Sequence, residues 1–578
     1  MIKHNPVLSI FIIRRELLSY QKVAFNISQK KRKKNMPNTN YQPRDLTIAP
    51  ASLAATHLTL IWQKPTTNPK IAGYIVYQNK QEIGRQNGPG KTHYMVLNLR
   101  PETMYHFEIV TILKDKTYSN AARITVQTPK AGQLHDVTKA PYFADPTGQQ
   151  LATSQLQQAI NDCQRNDTVL IPKDATLLSG ALDLKSDMTL QIDGILKGSL
   201  NPEDYTVLPQ YRTTYVGKVN EAGLILTRYE GWEMYCYRSL INGGYLDPTD
   251  RLKVTCQNIR ICGTGRIIGG GNPLGTAMKQ IYADKIRYPK YVSDGIGGRR
   301  VRGRLLSFIQ CANLELTQIS VENPPCWTIH MIYCDTVTTN GIHIQSQGID
   351  NGDGWDPDSS RNMLIFDTTF DTGDDCIAIK SGKNPEGNAI AIPSENIRIF
   401  DLNMLGGHGM AIGSEESGGV SNVTIQDCQI QNTTYGLELK AAASRGGYIQ
   451  HIMVQDCTAD HLTVRSVDYN DDGSAAPTLP YLQDITIRHT TFNGSGPAIQ
   501  LSGFTNANQP EDHTHYVRSV KLQAITLDLT KGNTGEIHLK ACADLQFEAI
   551  HTNSSQAPIY QVDPNTVFHL TVDNVKKA

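Results

Sequence analysis

The feature that most constrains this chain is a short, irregular internal repeat. NLELTQI at 313, DTVTTNGIHI at 335, NMLIFDTTF at 362, NIRIFDL at 396, NVTIQDC at 422, HIMVQDC at 451, DITIRHTTF at 484 and DLQFEAI at 544 are variations on one short apolar strand. As far as 484 they return at intervals of roughly 22 to 36 residues. A unit of that size, made of a short strand, a turn and another short strand, cannot bury its inward side chains alone and must stack on its neighbours. Asn or Asp opens several of the units, which suits turns, because Asx side chains satisfy local backbone groups. Propeller blades would need a steadier period. The repeat therefore predicts an all-β fold, a parallel β-helix over residues 142–578. One helical signal precedes it: in TSQLQQAINDCQ, Leu156, Ala159, Ile160 and Cys163 fall at i, i+3, i+4 and i+7 behind a Thr153/Ser154 cap. Such a helix would cover the open edge of the first coil.

A different style of sequence precedes the repeat. Residues 45–130 hold five runs with period-two apolar positions (LTLIW, YIVYQ, YMVLNL, YHFEIVTIL, ARITVQT), which read as a small β-sandwich. Trp62, Tyr74, Leu99 and Tyr105, in IWQKP, IAGYIVYQN and LNLRPETMYHFEI, resemble the fibronectin type III pattern, and such a module is expected to act as a spacer or docking surface. Residues 131–141 read as a linker. Residues 1–44 read as a disordered or targeting segment, with an apolar VLSIFII, a basic QKKRKKN and an alternative start at Met36. Periplasmic or secreted location is the expectation, cytoplasmic the alternative.

Charge narrows the partners. The 55 Lys+Arg balance 55 Asp+Glu, which argues against a general nucleic-acid or membrane-surface protein, so any polyanion must be met locally. No apolar stretch beyond the N-terminal segment is long enough to span a bilayer. The 11 cysteines are odd in number and form no CxxC pair, so no zinc site is implied, and several sit in strand-like runs as small buried thiols. No metal or cofactor is expected, and the protein is expected to act as a monomer.

Four motifs fall in consecutive repeats: NGDG (351–354), GDD (373–375), GGHG (406–409), and ELK followed by RGG (438–440, 445–447). Asp353 and Asp374 are about one coil apart, so their backbones should lie about one strand spacing, ~4.8 Å, from each other on the same outer face. His408 and Lys440 would continue the row. Clustered carboxylates raise one another's pKa, which is what a general acid working near neutral pH requires.

These motifs, in this order, with NPPCWTIH (323–330) and GRLLSF (303–308), resemble glycoside hydrolase family 28, the polygalacturonases, whose fold is a right-handed, pectin-lyase-like parallel β-helix. The resemblance covers the chain from about residue 136 onward. It implies that Asp374 is the general acid and that Asp353 and Asp375 activate the attacking water, with inversion. His408 would support the protonation of Asp374, and Lys440 would hold a galacturonate carboxylate at the subsite before the cut. One departure stands out: the family has Arg where this chain has Glu438, and Arg445 is the candidate replacement in that clamp.

Two long insertions, 201–253 rich in tyrosine and 271–304 ending in GGRRVRGR, interrupt the early repeats without evident strands. Arg299, Arg300, Arg302 and Arg304 are candidates for carboxylate contacts, Arg304 foremost. A fibronectin-like module before an enlarged catalytic domain looks like the bacterial exo-poly-α-galacturonosidases, whose extra loops close the groove. The resemblance thus implies exo-hydrolysis of polygalacturonate or oligogalacturonides from the non-reducing end, giving mono- or digalacturonate. Endo action or xylogalacturonan hydrolysis is the alternative. A calcium-dependent lyase and a non-catalytic β-helical binding protein are the readings outside this chemistry.

Overall fold

A computed structural model describes residues 41–66, 70–467, 473–505 and 511–573. The apolar run, the basic run and Met36 lie outside the described residues.

The main body is a right-handed parallel β-helix. A 12-stranded parallel ladder runs along one side, and a 23-stranded sheet, bent at a corner, forms the rest of the wall. One column shows why the repeats stack. Val169, Leu190, Ile261, Leu316, Thr339, Ile365, Ile399, Ile425, Val454, Ile487 and Leu522 occupy the same position in successive coils. All point into one continuous core, where the one polar member, Thr339, accepts the indole N–H of the buried Trp355 at 3.0 Å. Each buried aliphatic side chain stabilises the stack by about 1.5–3 kcal/mol.

The Asn and Asp that open the repeats stand at the corners. Asn313, Asn362, Asn396, Asn422, Asp484 and Asp544 all have left-handed backbones, with φ between 55 and 58°. Asx side chains tolerate that conformation better than most.

Several expectations need correction. Residues 131–141 are not a free linker: Leu134–Asp136 pairs in parallel with Asp167–Ile171 and begins the first coil. The helix Thr153–Asp162 buries Leu156, Ala159 and Ile160, yet no side chain caps it. Thr153 Oγ1 instead accepts the Gly180 backbone N–H at 2.7 Å, tying the helix to the coil beneath. The insertions are ordered. The first contains an antiparallel hairpin, Ile225–Tyr229 with Trp232–Cys236, and the second a helix, Gly271–Ile281.

The N-terminal sandwich packs Trp62 edge-on against Tyr74, with ring centroids 5.1 Å apart. It does not stand apart as a spacer. Ala49 and Ile61 pack against Leu364, Phe366 and Phe400 of the β-helix. Lys64 Nζ reaches Asp427 at 2.8 Å and Asp456 at 2.5 Å, and Lys91 and His93 each reach Asp401 at 2.7 Å.

Candidate active site

The site lies on the 12-stranded ladder, where Trp355–Asp358, Asp375–Ile379, Gly409–Ile412, Gly436–Ala442 and Leu462–Val467 are consecutive rungs. Gly354 brings the first two close: its N–H donates to the Asp375 carbonyl at 2.9 Å, and a Cβ there would stand 2.4 Å from the Cys376 carbonyl oxygen. This places Asp353, just before its strand, beside the Asp374–Asp375 turn. In the next coil the His408 N–H donates to the Asp374 carbonyl at 2.9 Å.

Asp353, Asp374, Asp375 and His408 thus converge. His408 Nδ1 is 2.9 Å from Asp374 Oδ1 and 3.7 Å from Asp375 Oδ1. Lys440 sits farther along its strand than a simple row predicts, in register with Arg465, and its side chain reaches back to within 3.3 Å of Asp375 Oδ2. The carboxylates are not alike in exposure: Asp353 is 4% and Asp375 5% exposed, whereas about a quarter of the Asp374 side chain (27%) is open. The open one faces a glycosidic oxygen most readily.

Protonation follows from these surroundings. Burial raises Asp353 to about 8, with Lys380 opposing and Asp374 and Asp375 assisting. Burial also raises Asp375 against the pull of Lys440. For Asp374, burial is outweighed by the His408 hydrogen bond and charge, and its carboxyl lies below the ordinary value. The same hydrogen bond raises His408. Burial thus works against charge on Asp353 and Asp375, whereas the 2.9 Å contact between His408 Nδ1 and Asp374 Oδ1 favours the charged form of both its partners.

Two further residues complete the cluster. Lys380 Nζ lies 3.2 Å from Asp353 Oδ2 and 4.3 Å from the centroid of the Trp327 ring. Asp356 is fully buried beside Asp353, and burial holds its carboxyl far above the ordinary value. A signal for Lys380 exists in the repeat. Aligned by rung, IAIKS (377–381), MAIGS (410–414), LELKA (437–441) and LTVRS (462–466) put Lys380, Lys440 and Arg465 at the same offset. Asp356 belongs to the column of Ala378, Ala411 and Glu438 and carries no such mark.

The expected substrate arginines are spent on the protein. Arg304, 2% exposed, lies over Tyr229 and Trp327 (4.7 and 5.7 Å) and donates to the Arg228 carbonyl. Arg445 is buried and donates to the Ser414 carbonyl and hydroxyl at 2.6 and 2.8 Å. Arg299 and Arg302 hold Asn351 Oδ1 at 2.9 and 2.6 Å, steadying the turn that presents Asp353. Arg300 pairs with Glu230 at 2.7 Å and covers Trp232. Glu438 is buried and pairs with Lys440 at 3.0 Å and Arg465 at 2.6 Å.

The insertions wall off the groove on the side of the earlier coils. Tyr229 stacks flat on Trp327 at 4.7 Å. At the hairpin tip, the Gly231 carbonyl accepts the Lys383 N–H at 3.1 Å, and the Trp232 indole donates to the Asn384 carbonyl at 2.9 Å. This covers the Asp358–Lys380 side, whereas the side chain of Arg465, on the later coils, stays 35% exposed.

Residues 253–494 match the family described as Glycosyl hydrolases family 28, and residues 41–126 match the fibronectin type III domain. The chain is 27% identical over 556 residues to an exo-poly-alpha-D-galacturonosidase of Dickeya chrysanthemi, covering 84% of this chain and 88% of that one. Its fold is similar to that of the Yersinia enterocolitica family 28 exopolygalacturonase, at 23% identity and a TM-score of 0.72, covering 91% of this chain and 99% of that one. A hyperthermoactive exopolygalacturonase from Thermotoga maritima is 25% identical with a TM-score of 0.60, covering 74% and 93%.

Proposed function

Since the chain belongs to glycosyl hydrolase family 28, we propose that it is an exo-polygalacturonase that hydrolyses α-1,4-galacturonosidic bonds from the non-reducing end with inversion. The observation that carries the exo reading is the seated hairpin. Its tip on Lys383 and Asn384 closes the groove beside Lys380, so a chain end fits against the wall while the rest of the polymer leaves over the later coils.

Asp374 is the acid in this reading. A polyanionic substrate adds negative charge, raises the Asp374 carboxyl, and draws the proton from His408 Nδ1 across their hydrogen bond. Asp374 then passes it to the leaving oxygen. On the other side, Asp353 Oδ1 and Asp375 Oδ1 have no hydrogen-bond partner among the described residues and suit the two hydrogens of an attacking water. An Asp374 and an Asp375 carboxylate oxygen lie within 4.8 Å of each other, closer than the about 6.5–9.5 Å usual for an inverting pair, so inversion follows here from the family resemblance rather than from the separation. Lys380 and Lys440 set ammonium groups against Asp353 and Asp375, where a lyase of the calcium type would need its cation. The hydrolytic reading is favoured accordingly.

Time-resolved product analysis on polygalacturonate, with the wild type and Asp374→Asn, is the test. Mono- or digalacturonate from the first turnover, abolished in the variant, is expected. An early ladder of oligomers would sink the exo assignment. A polymer substrate that cannot cross a membrane favours the periplasm or the outside of the cell as the site of action, which fractionation of activity checks.

A further inference from the structure

The outer face of the 12-stranded ladder continues past the catalytic cluster. On its last rungs, Ile499–Ser502, Glu536–Lys540 and Ile559–Val562, lies a hollow of about 400 Å³ whose lining includes Gln500, Ser502, His538, Lys540, Gln561 and Asp563. We propose that this hollow is a distal subsite for the same substrate, in which Lys540 binds the carboxylate of a galacturonate unit roughly three sugars beyond the cut. This deepens the exo-polygalacturonase reading and rests on it for the side on which the polymer lies.

Register carries the assignment. Lys440 is paired with Arg465, Arg465 with Ser502 and Ser502 with Lys540, so Lys540 repeats the position of Lys440 three rungs on, ~14 Å away at a strand spacing of ~4.8 Å. A second column, Glu438, Thr463, Gln500, His538 and Gln561, runs beside the first. Between the two columns stand Leu439, Val464, Leu501 and Leu539, all buried in the core. Alternation along each strand therefore turns both polar columns outward, onto the face that carries the catalytic carboxylates. A sugar in an extended polymer advances by about as much as one rung, ~4.8 Å, and every unit of polygalacturonate carries a carboxylate. A chain leaving over the later coils thus brings an anion to Lys540.

The chemistry of the hollow suits an anion flanked by hydroxyls. Lys540 is exposed and makes no hydrogen bond or ion pair with any described residue. The neighbouring carboxylates are engaged elsewhere: Asp563 Oδ1 accepts the Asn565 N–H at 3.0 Å, and Glu536 Oε2 lies 3.0 Å from His538 Nε2. The Asn565 N–H and the Thr566 side chain, with the Lys540 charge behind them, hold the Asp563 carboxyl below its ordinary value. Gln500, Ser502 and Gln561 supply donors and acceptors for sugar hydroxyls. An ammonium on a flexible stem tolerates the changing position of a polymer better than a planar fork does.

Calorimetric titration in the Asp374→Asn background, where turnover does not consume the ligand, tests the proposal. It compares digalacturonate, too short to reach Lys540 from the cluster, with hexagalacturonate, which reaches it. Lys540→Gln should weaken hexagalacturonate about two- to fivefold, the worth of one exposed ion pair, and leave digalacturonate unchanged. Unchanged binding of the short ligand also reports an intact fold. Lys540→Glu should weaken the long ligand further, and the loss should shrink in high salt. Equal loss for both ligands, or no loss for hexagalacturonate in either variant, would overturn the proposal. Failure of the exo reading shows separately, in the early products of the wild type: an oligomer ladder there, with the length-dependent loss intact, would refute chain-end attack and leave the distal subsite standing.

Discussion

Replacing Asp353 by asparagine should stabilise the protein increasingly as the pH rises, while abolishing most of its activity. Asp353 is 4% exposed, and burial is the main reason its carboxyl stands at about 8. In the unfolded chain the same carboxyl titrates at about 3.9. Between those values the folded state keeps a proton that the unfolded state has released. Stability therefore falls as the pH rises through the window, by about 1.4 kcal/mol per pH unit for one proton. Over about four units the wild type loses at most ~5–6 kcal/mol relative to a protein without that group. The amide that replaces the carboxyl has nothing to titrate. The stability difference between variant and wild type should grow steadily from about pH 5 to about pH 8 and level off above it. Urea unfolding at several pH values across that window, followed by tryptophan fluorescence, measures it, and Trp327 and Trp355 lie in the affected coils. Reducing-sugar release should drop by about a hundredfold or more, the usual worth of a lost acid–base group. Parallel stability profiles for the two proteins, or a wild type that gains on the variant as the pH rises, would refute the reasoning.

Other outcomes follow from the same geometry. His408 is raised by its bond to Asp374, so its proton is fully present below the ordinary histidine value of about 6.5 and is lost only as the pH climbs through the higher folded value. Activity should accordingly fall on the alkaline side. His408→Gln should remove that limb from the rate profile and cut kcat by about ten- to a hundredfold. Lys64→Ala leaves Asp427 and Asp456 facing each other at the module interface and should cost about 3 kcal/mol, seen as faster proteolytic cleavage near residue 130. Gly231→Ala sets a Cβ 2.5 Å from the Lys383 backbone nitrogen at a φ of 81°. The hairpin should unseat, at a cost of about 1–3 kcal/mol, and chromatography of the first products should show longer oligomers than the wild type releases.

How much of this was legible depended on whether a residue's role left a periodic mark. The coils were visible because one inward column is almost wholly aliphatic and the corners favour Asn or Asp. The coil at Val517–Leu527 escaped notice because Ser519 and Ala524, at φ of 52°, hold the corners where Asx residues would have announced it. The carboxylates and His408 were legible as motifs. Arginine identity was not, because a sequence does not say which guanidiniums are consumed internally: Arg304 disappears beneath Tyr229 and Trp327, and Arg445 is held by Ser414. Lys380 could have been found by aligning rungs rather than motifs.

The docked module connects these levels. The corners that force left-handed backbone at Asp401, Asp427 and Asp456 also turn three carboxylates outward in successive coils, and Lys64, Lys91 and His93 are what meet them. The apolar part of the same contact falls on Phe366 and Phe400. Those side chains belong to the strands Arg361–Asp371 and Ser394–Met404, which run directly into the turns carrying Asp374 and His408. A hydrogen bond of 2.9 Å between residues of two different coils is only as well defined as the relative position of those coils. The sandwich packs across both of the strands that lead into that pair.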